Sequence, residues 1–101
     1  MAPVWFITGV SSGLGTELAL KALEADQRVI GTVRSRAKAS SQVSTIEHQG
    51  GKILELDVTN ADACREIFKK AETQYGKIDV LVNNAGYSVL GAVEDFSYVN
   101  A

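Results

Sequence analysis

The stretch Thr8-Gly9-Val10-Ser11-Ser12-Gly13-Leu14-Gly15 places glycines at a G-x-x-x-G-x-G spacing. It follows the apolar run Val4-Trp5-Phe6-Ile7 and opens into Glu17-Leu18-Ala19-Leu20-Lys21-Ala22-Leu23-Glu24-Ala25, a strong helix former. Glycines let a backbone turn tightly and come close to a ligand, and a helix N-terminus offers unpaired N–H groups and a positive dipole end. Strand, glycine turn and helix in that order suit the phosphates of a dinucleotide. The spacing departs from G-x-G-x-x-G, but the required context is present. Taken alone, the motif also fits a loop without a ligand.

Other polar residues fall where strands should end. Val4 to Thr8 reads as a strand apolar on both faces, as in the centre of a parallel sheet. A helix from about Leu14 to Ala25 puts Leu14, Leu18, Ala19, Ala22 and Leu23 on one stripe. The β-branched segment 28–33 is a second strand, followed by the basic, serine-rich turn Arg34-Ser35-Arg36-Ala37-Lys38-Ala39-Ser40-Ser41. A weaker helix lies within Ala37 to Gln49, with Val43 and Ile46 as its apolar residues, and Gly50-Gly51 ends it. Segment 52–57 is a third strand, closing on Asp57. Cys64, Ile67, Phe68, Ala71 and Tyr75 form the best helical stripe in the chain, and Gly76 stops that helix. Segment 78–83 is a fourth strand, and a short helical turn is expected near Ala92 to Phe96. The βαβαβαβ alternation predicts a doubly wound parallel α/β sheet with right-handed crossovers and helices on both faces.

Composition narrows the classes. The chain has 101 residues, enough for one domain at most. Its net charge of −2 and the absence of a dense basic run argue against nucleic acid. Apolar runs are too short to span a bilayer. Met1-Ala2-Pro3 leads straight into the first strand, so no targeting segment and a cytoplasmic location are expected. Cys64 is the single cysteine, which excludes a disulfide within the chain and a cysteine-based metal site. His48 is expected to face solvent and Cys64 to lie in the core, with no metal site.

Four features in order, Thr8-Gly9-x-x-x-Gly13-x-Gly15, Arg34 past the second strand, Asp57-Val58-Thr59 and Asn83-Asn84-Ala85-Gly86, resemble the short-chain dehydrogenase/reductase family. The resemblance covers residues 3 to about 97. It implies a partial Rossmann-type sheet of strand order 3-2-1-4, with the cofactor crevice where the order reverses. It also implies that Gly9, Ser11, Ser12, Gly13, Leu14 and Gly15 line the cofactor phosphates and adjoining ribose. Asp57 would accept from the adenine amino group, with Val58 against the ring. Asn83, Ala85 and Gly86 would shape the wall beside the adenosine ribose. The alternative readings are a helix-entry residue for Asp57 and a strand-ending turn for Asn83-Asn84.

Cofactor choice follows from charge. An NAD site holds the ribose 2′-OH with a carboxylate about 20 residues past the glycines. Here the second strand ends in Thr32-Val33-Arg34-Ser35-Arg36, which contains no acid. A guanidinium suits a 2′-phosphate. NADP(H) is therefore expected over NAD(H), with Arg34 as the main determinant and Ser12, Ser35 or Arg36 assisting.

The family's proton chemistry uses a Tyr-x-x-x-Lys pair and an upstream Ser. Tyr75 is followed four residues on by Asp79, Tyr87 by Gly91, and Tyr98 lies too close to the end, so no catalytic residue is assigned in this chain. The expected organisation is an incomplete nucleotide-binding segment over residues 1–97 and a tail over 98–101, with the apolar fourth strand left as an exposed edge. The expected function is the NADP(H)-binding N-terminal part of a reductase or dehydrogenase acting on a carbonyl or hydroxyl substrate. The alternatives are a stand-alone, non-catalytic nucleotide-binding protein or a truncated product that does not fold.

Overall fold

The computed structural model describes residues 2–84 and the backbone of residues 98–100. The elements run β1 (Val4–Thr8), α1 (Gly13–Glu24), β2 (Arg28–Val33), α2 (Ser40–His48), β3 (Lys52–Glu55), α3 (Ala61–Tyr75), β4 (Val80–Asn83) and β5 (Tyr98–Asn100). All strand pairs are parallel, and the sheet order is β3-β2-β1-β4-β5. The expected order 3-2-1-4 is present, extended by one short strand.

The strand alternation explains the layers. Val4 and Phe6 point to one face with Ile30 and Leu81, where they pack on Cys64, Phe68 and Ala71 of α3. Ile7 points to the other face with Val29, Val33, Ile53 and Val82, against Ala19 and Ala22 of α1 and Val43 and Ile46 of α2. Side chains of opposite pleat thus feed separate cores, which is why β1 reads as apolar without alternation. The Phe6 and Phe68 rings meet at 4.7 Å between centroids, tilted by 42°.

The helix ends follow local chemistry. Asn60 caps α3 by accepting from the Ala63 N–H at 3.0 Å, and Gly76 leaves the helix at φ 85°. Gly50 turns the chain after α2 at φ 100°, a left-handed conformation natural to glycine.

Three expectations need correction. Leu14, placed on the buried stripe of α1, is 50% exposed, because the first turn of α1 projects past the carboxyl end of β1, where the sheet beneath it ends. The helix expected within Ala37 to Gln49 is α2, Ser40–His48, and ahead of it Ser35 and Ala39 close a turn through the Ala39 N–H and the Ser35 carbonyl at 3.1 Å. The fourth strand is not an open edge: Leu81, Val82 and Asn83 pair with Tyr98, Val99 and Asn100. Short polar-ended segments carry little strand signal, so β5 was not visible in the pattern. Strands β3 and β4 are also shorter than expected, ending at Glu55 and starting at Val80. The helical turn expected near Ala92 lies outside the described residues.

Candidate functional site

The site forms at the carboxyl ends of β1, β2, β3 and β4. Gly9 leaves β1 at φ 69°, a conformation costly for other residues, and its N–H reaches Thr32 Oγ1 at 3.4 Å. The Val10 N–H donates to the Thr32 carbonyl at 3.0 Å, which holds the loop against β2. Ser12 is the N-cap residue of α1 but makes no side-chain cap bond, and no acid stands in the first turn. The N–H groups of Gly13, Leu14 and Gly15 therefore have no intrahelical carbonyl to pair with and point out of the helix start. A Cβ built on Gly13 would meet nothing within 4 Å, so the space above that backbone is open. Gly15 differs: a Cβ there would lie 2.4 Å from the Gly9 carbonyl oxygen and 2.6 Å from Asn84 Nδ2.

Asn84, which the motif contained but to which no role was given, ties the loop to β4. Its Nδ2 donates to the Gly9 carbonyl and to Ser12 Oγ, both at 2.8 Å. Ser12 Oγ in turn donates to the Gly9 carbonyl at 3.1 Å. The Ser12 hydroxyl is thus committed to the loop's own architecture. Asn83 is buried one residue earlier, where its Oδ1 accepts from the Thr8 hydroxyl at 3.3 Å. It braces β1 against β4 under the crevice.

Beside this loop lies a cavity of about 200 Å³ lined by Gly9, Ser11, Thr32, Arg34, Leu56, Asp57, Val58 and Thr59. Five residues singled out from sequence, Gly9, Ser11, Arg34, Asp57 and Val58, meet there. Asp57 Oδ1 accepts from the Thr59 hydroxyl at 2.6 Å and from the Thr59 N–H at 3.0 Å. Those two bonds, hydroxyl first, and the nearby Arg34 charge hold the Asp57 carboxyl below its ordinary range. Both bonds fall on Oδ1, which leaves Oδ2 lone pairs for a ligand donor.

A wider groove of about 760 Å³ adjoins it, lined by Ser11, Arg34, Ser35, Lys38, Ala39 and Gln42. Ser11, rather than Ser12, is the loop serine beside Arg34. Lys38 adds a second cation that sequence reading left within a general basic turn. Its spacing of four from Arg34, on a turn entering a helix, is the signal that would have found it. Arg36 lines neither cavity: its guanidinium turns to Glu47 and to the Ile53 carbonyl. The assistance expected from Ser12 and Arg36 at this end of the site is not what their contacts show, because both side chains are already engaged within the protein. Ala85 and Gly86 lie outside the described residues. As expected, His48 is exposed and Cys64 is buried. Burial, then the Asp57 charge, push the Cys64 thiol above its ordinary value, away from nucleophilic chemistry.

A parallel sheet whose order reverses at β1, with a glycine loop opening into a helix at that point, defines a doubly wound α/β protein of the nucleotide-binding type. The short chain dehydrogenase family model matches residues 3–100, and the chain belongs to that family. It is 48% identical over 98 residues to the oxidoreductase claN of Passalora fulva, covering 96% of this chain and 44% of that protein. A metagenomic short-chain oxidoreductase solved in complex with NADP superposes with a TM-score of 0.75 at 31% identity, over 83% of this chain and 38% of that one. NAD+-bound xylitol dehydrogenase shares the fold, with a TM-score of 0.84 at 22% identity, over 97% of this chain and 52% of that one. The chain therefore spans about half or less of the length of these relatives. Among the described residues no helix is long and apolar enough to cross a membrane, and no group of three or more potential metal ligands occurs.

Proposed function

We propose that this chain is the NADP(H)-binding N-terminal part of a short-chain reductase or dehydrogenase. The observation that carries the reading is Arg34, exposed at the end of β2 with Lys38 beside the same groove and with no carboxylate in the turn that follows the strand. The unpaired N–H groups at the start of α1 and the open space over Gly13 fit a pyrophosphate, and Ser11 stands between that position and Arg34. The Arg34 guanidinium would fork onto the 2′-phosphate, Lys38 would add charge, and Asp57 Oδ2 would accept from the adenine amino group with Val58 against the ring. Leu14 and the segment Asn83 to Gly86 would border the adenosine ribose. The bound nicotinamide would give a hydride to a carbonyl carbon of the substrate or take one from a hydroxyl carbon. The Ser and Tyr-x-x-x-Lys groups of the family have no counterpart in these residues, so this part contributes binding and orientation.

One experiment separates NADP(H) from NAD(H). Titration with NADPH and with NADH should show NADPH binding tighter by about 10- to 100-fold, the effect of one charge-assisted contact of ~1.5–3 kcal/mol. Equal affinity, or tighter NADH, refutes it. Pairing of β5 along β4 favours a second reading, a stand-alone nucleotide-binding protein without turnover, because it covers the apolar strand that would otherwise stand open. Binding of NADPH by the native-source protein, at a mass matching these 101 residues and with no hydride transfer, would support that reading over the first.

A further inference from the structure

We propose that Arg36 is a positioning residue for nucleotide selection, setting the turn that carries Arg34 without touching the ligand; the inference rests on the reading of Arg34 above. The β2–α2 turn has little of its own to hold it. Within it, the Ala39 N–H meets the Ser35 carbonyl at 3.1 Å and the Lys38 N–H meets Ser35 Oγ at 3.3 Å. Arg34, Ser35 and Lys38 all face the groove, so none of them anchors the turn from behind.

Arg36 supplies that anchor. Its N–H donates to Glu55 Oε2 at 2.9 Å, its Nη1 to the Ile53 carbonyl at 3.0 Å, and its Nη2 to both Glu47 oxygens at 3.1 Å. One residue thus grips β3 twice and α2 once. The geometry of the sheet gives the Ile53 contact added meaning. The Leu56 N–H donates to the Val33 carbonyl, so even-numbered residues of β3 turn their backbone groups towards β2. Ile53 therefore presents its carbonyl to the open side of the edge strand, and the guanidinium wraps around that side to reach it. The rigid fork of a guanidinium can serve a carbonyl and a carboxylate together, which an ammonium cannot do with the same orientation. With Nη1 and Nη2 held by protein acceptors, the Arg36 fork faces α2 and β3 rather than the groove while the turn holds this shape.

The test is a double-mutant cycle on the purified full chain, read by NADPH and NADH affinity. Arg36→Ala should weaken NADPH binding by about threefold to tenfold and leave NADH binding unchanged. Arg36→Lys, which keeps the charge, should behave like Arg36→Ala. In an Arg34→Ala background, Arg36→Ala should cause no further loss, because a positioning residue has nothing left to position. Independent, additive losses would mean that Arg36 meets the phosphate directly and would overturn the inference. So would wild-type affinity in Arg36→Lys, or equal losses for both nucleotides in Arg36→Ala. A wild-type preference for NADPH that is undiminished in Arg36→Ala overturns the inference alone. Equal wild-type affinities for NADPH and NADH overturn the reading of Arg34 and this inference with it.

Discussion

Gly13 and Gly15 stand two residues apart in the same helical turn, yet alanine should act on them in opposite ways. At Gly15 the new methyl would sit 2.4 Å from the Gly9 carbonyl oxygen and 2.6 Å from Asn84 Nδ2. Both neighbours belong to the hydrogen-bonded knot that fixes the loop, so neither can move without breaking the 2.8 Å Asn84–Gly9 bond. Forced shifts of this kind cost ~1–3 kcal/mol, and losing a partly buried hydrogen bond adds ~0.5–1.5 kcal/mol. Alanine's better helix propensity returns ~1 kcal/mol, leaving Gly15→Ala destabilised by roughly 0.5–3.5 kcal/mol. At Gly13 nothing lies within 4 Å, so Gly13→Ala should be neutral or gain a few tenths to ~1 kcal/mol of stability. The same methyl would fill the space assigned to the pyrophosphate, so NADPH binding should fall sharply in Gly13→Ala although the protein is no less stable. Urea unfolding followed by circular dichroism, together with NADPH titration, reads both quantities. A Gly15→Ala protein as stable as wild type would refute the packing argument. A Gly13→Ala protein that binds NADPH normally would refute the assignment of that space to the phosphates.

Arg34→Asp should reverse nucleotide choice, losing about 10- to 100-fold for NADPH and improving NADH, because a carboxylate at this strand end can hold a 2′-OH; unchanged ratios in paired titrations would remove Arg34 from the determinant. The Asp57 carboxyl is held low in the folded protein, so its contribution to stability is complete above the ordinary unfolded carboxyl value of 3.8 and is lost as pH falls through the lower folded value. Thr59→Val removes the larger cause and should raise the Asp57 midpoint in a carboxyl-carbon NMR titration; a midpoint that stays put would show that the hydroxyl bond is not responsible. Phe68→Ala empties the ring pair with Phe6 and should cost ~3–5 kcal/mol, read as a fall in the urea midpoint, whereas a change within ~1 kcal/mol would mean the α3 face repacks.

The frame was legible because each of its signals is local. The apolar runs of β1, β2 and β4, the stripe Cys64-Ile67-Phe68-Ala71-Tyr75 and the glycines at 50 and 76 each report a periodicity or a backbone requirement that neighbouring residues alone decide. Element ends were less legible. Whether Asp57 finishes a strand or begins a turn depends on the Thr59 hydroxyl, two residues on, competing for its side chain. The exposure of Leu14 and the pairing of Tyr98–Asn100 with β4 depend on where the sheet ends, which no window of sequence contains.

Within the site, residue type predicted presence better than role. Ser11 and Ser12 are chemically identical, and Arg34 and Arg36 nearly so, yet each pair divides between the groove and the scaffold. The division follows the turns beyond the strands, since a pleat would put residues two apart on one face. Arg34 leaves β2 as the residue after Val33, on the side where the groove opens, and Arg36, two residues further, has already turned towards the edge of β3. Ser12 lies under Asn84, whose position is set by β4, seventy-two residues away in the chain. A cation or hydroxyl becomes available to a ligand only when no nearer acceptor claims it. Glu47, Glu55 and the Ile53 carbonyl claim Arg36, whereas Arg34 acts on Asp57 through its charge and keeps its face to the cavity. The acidic residues of the scaffold, as much as the basic residues of the turn, therefore decide which guanidinium is left for a phosphate.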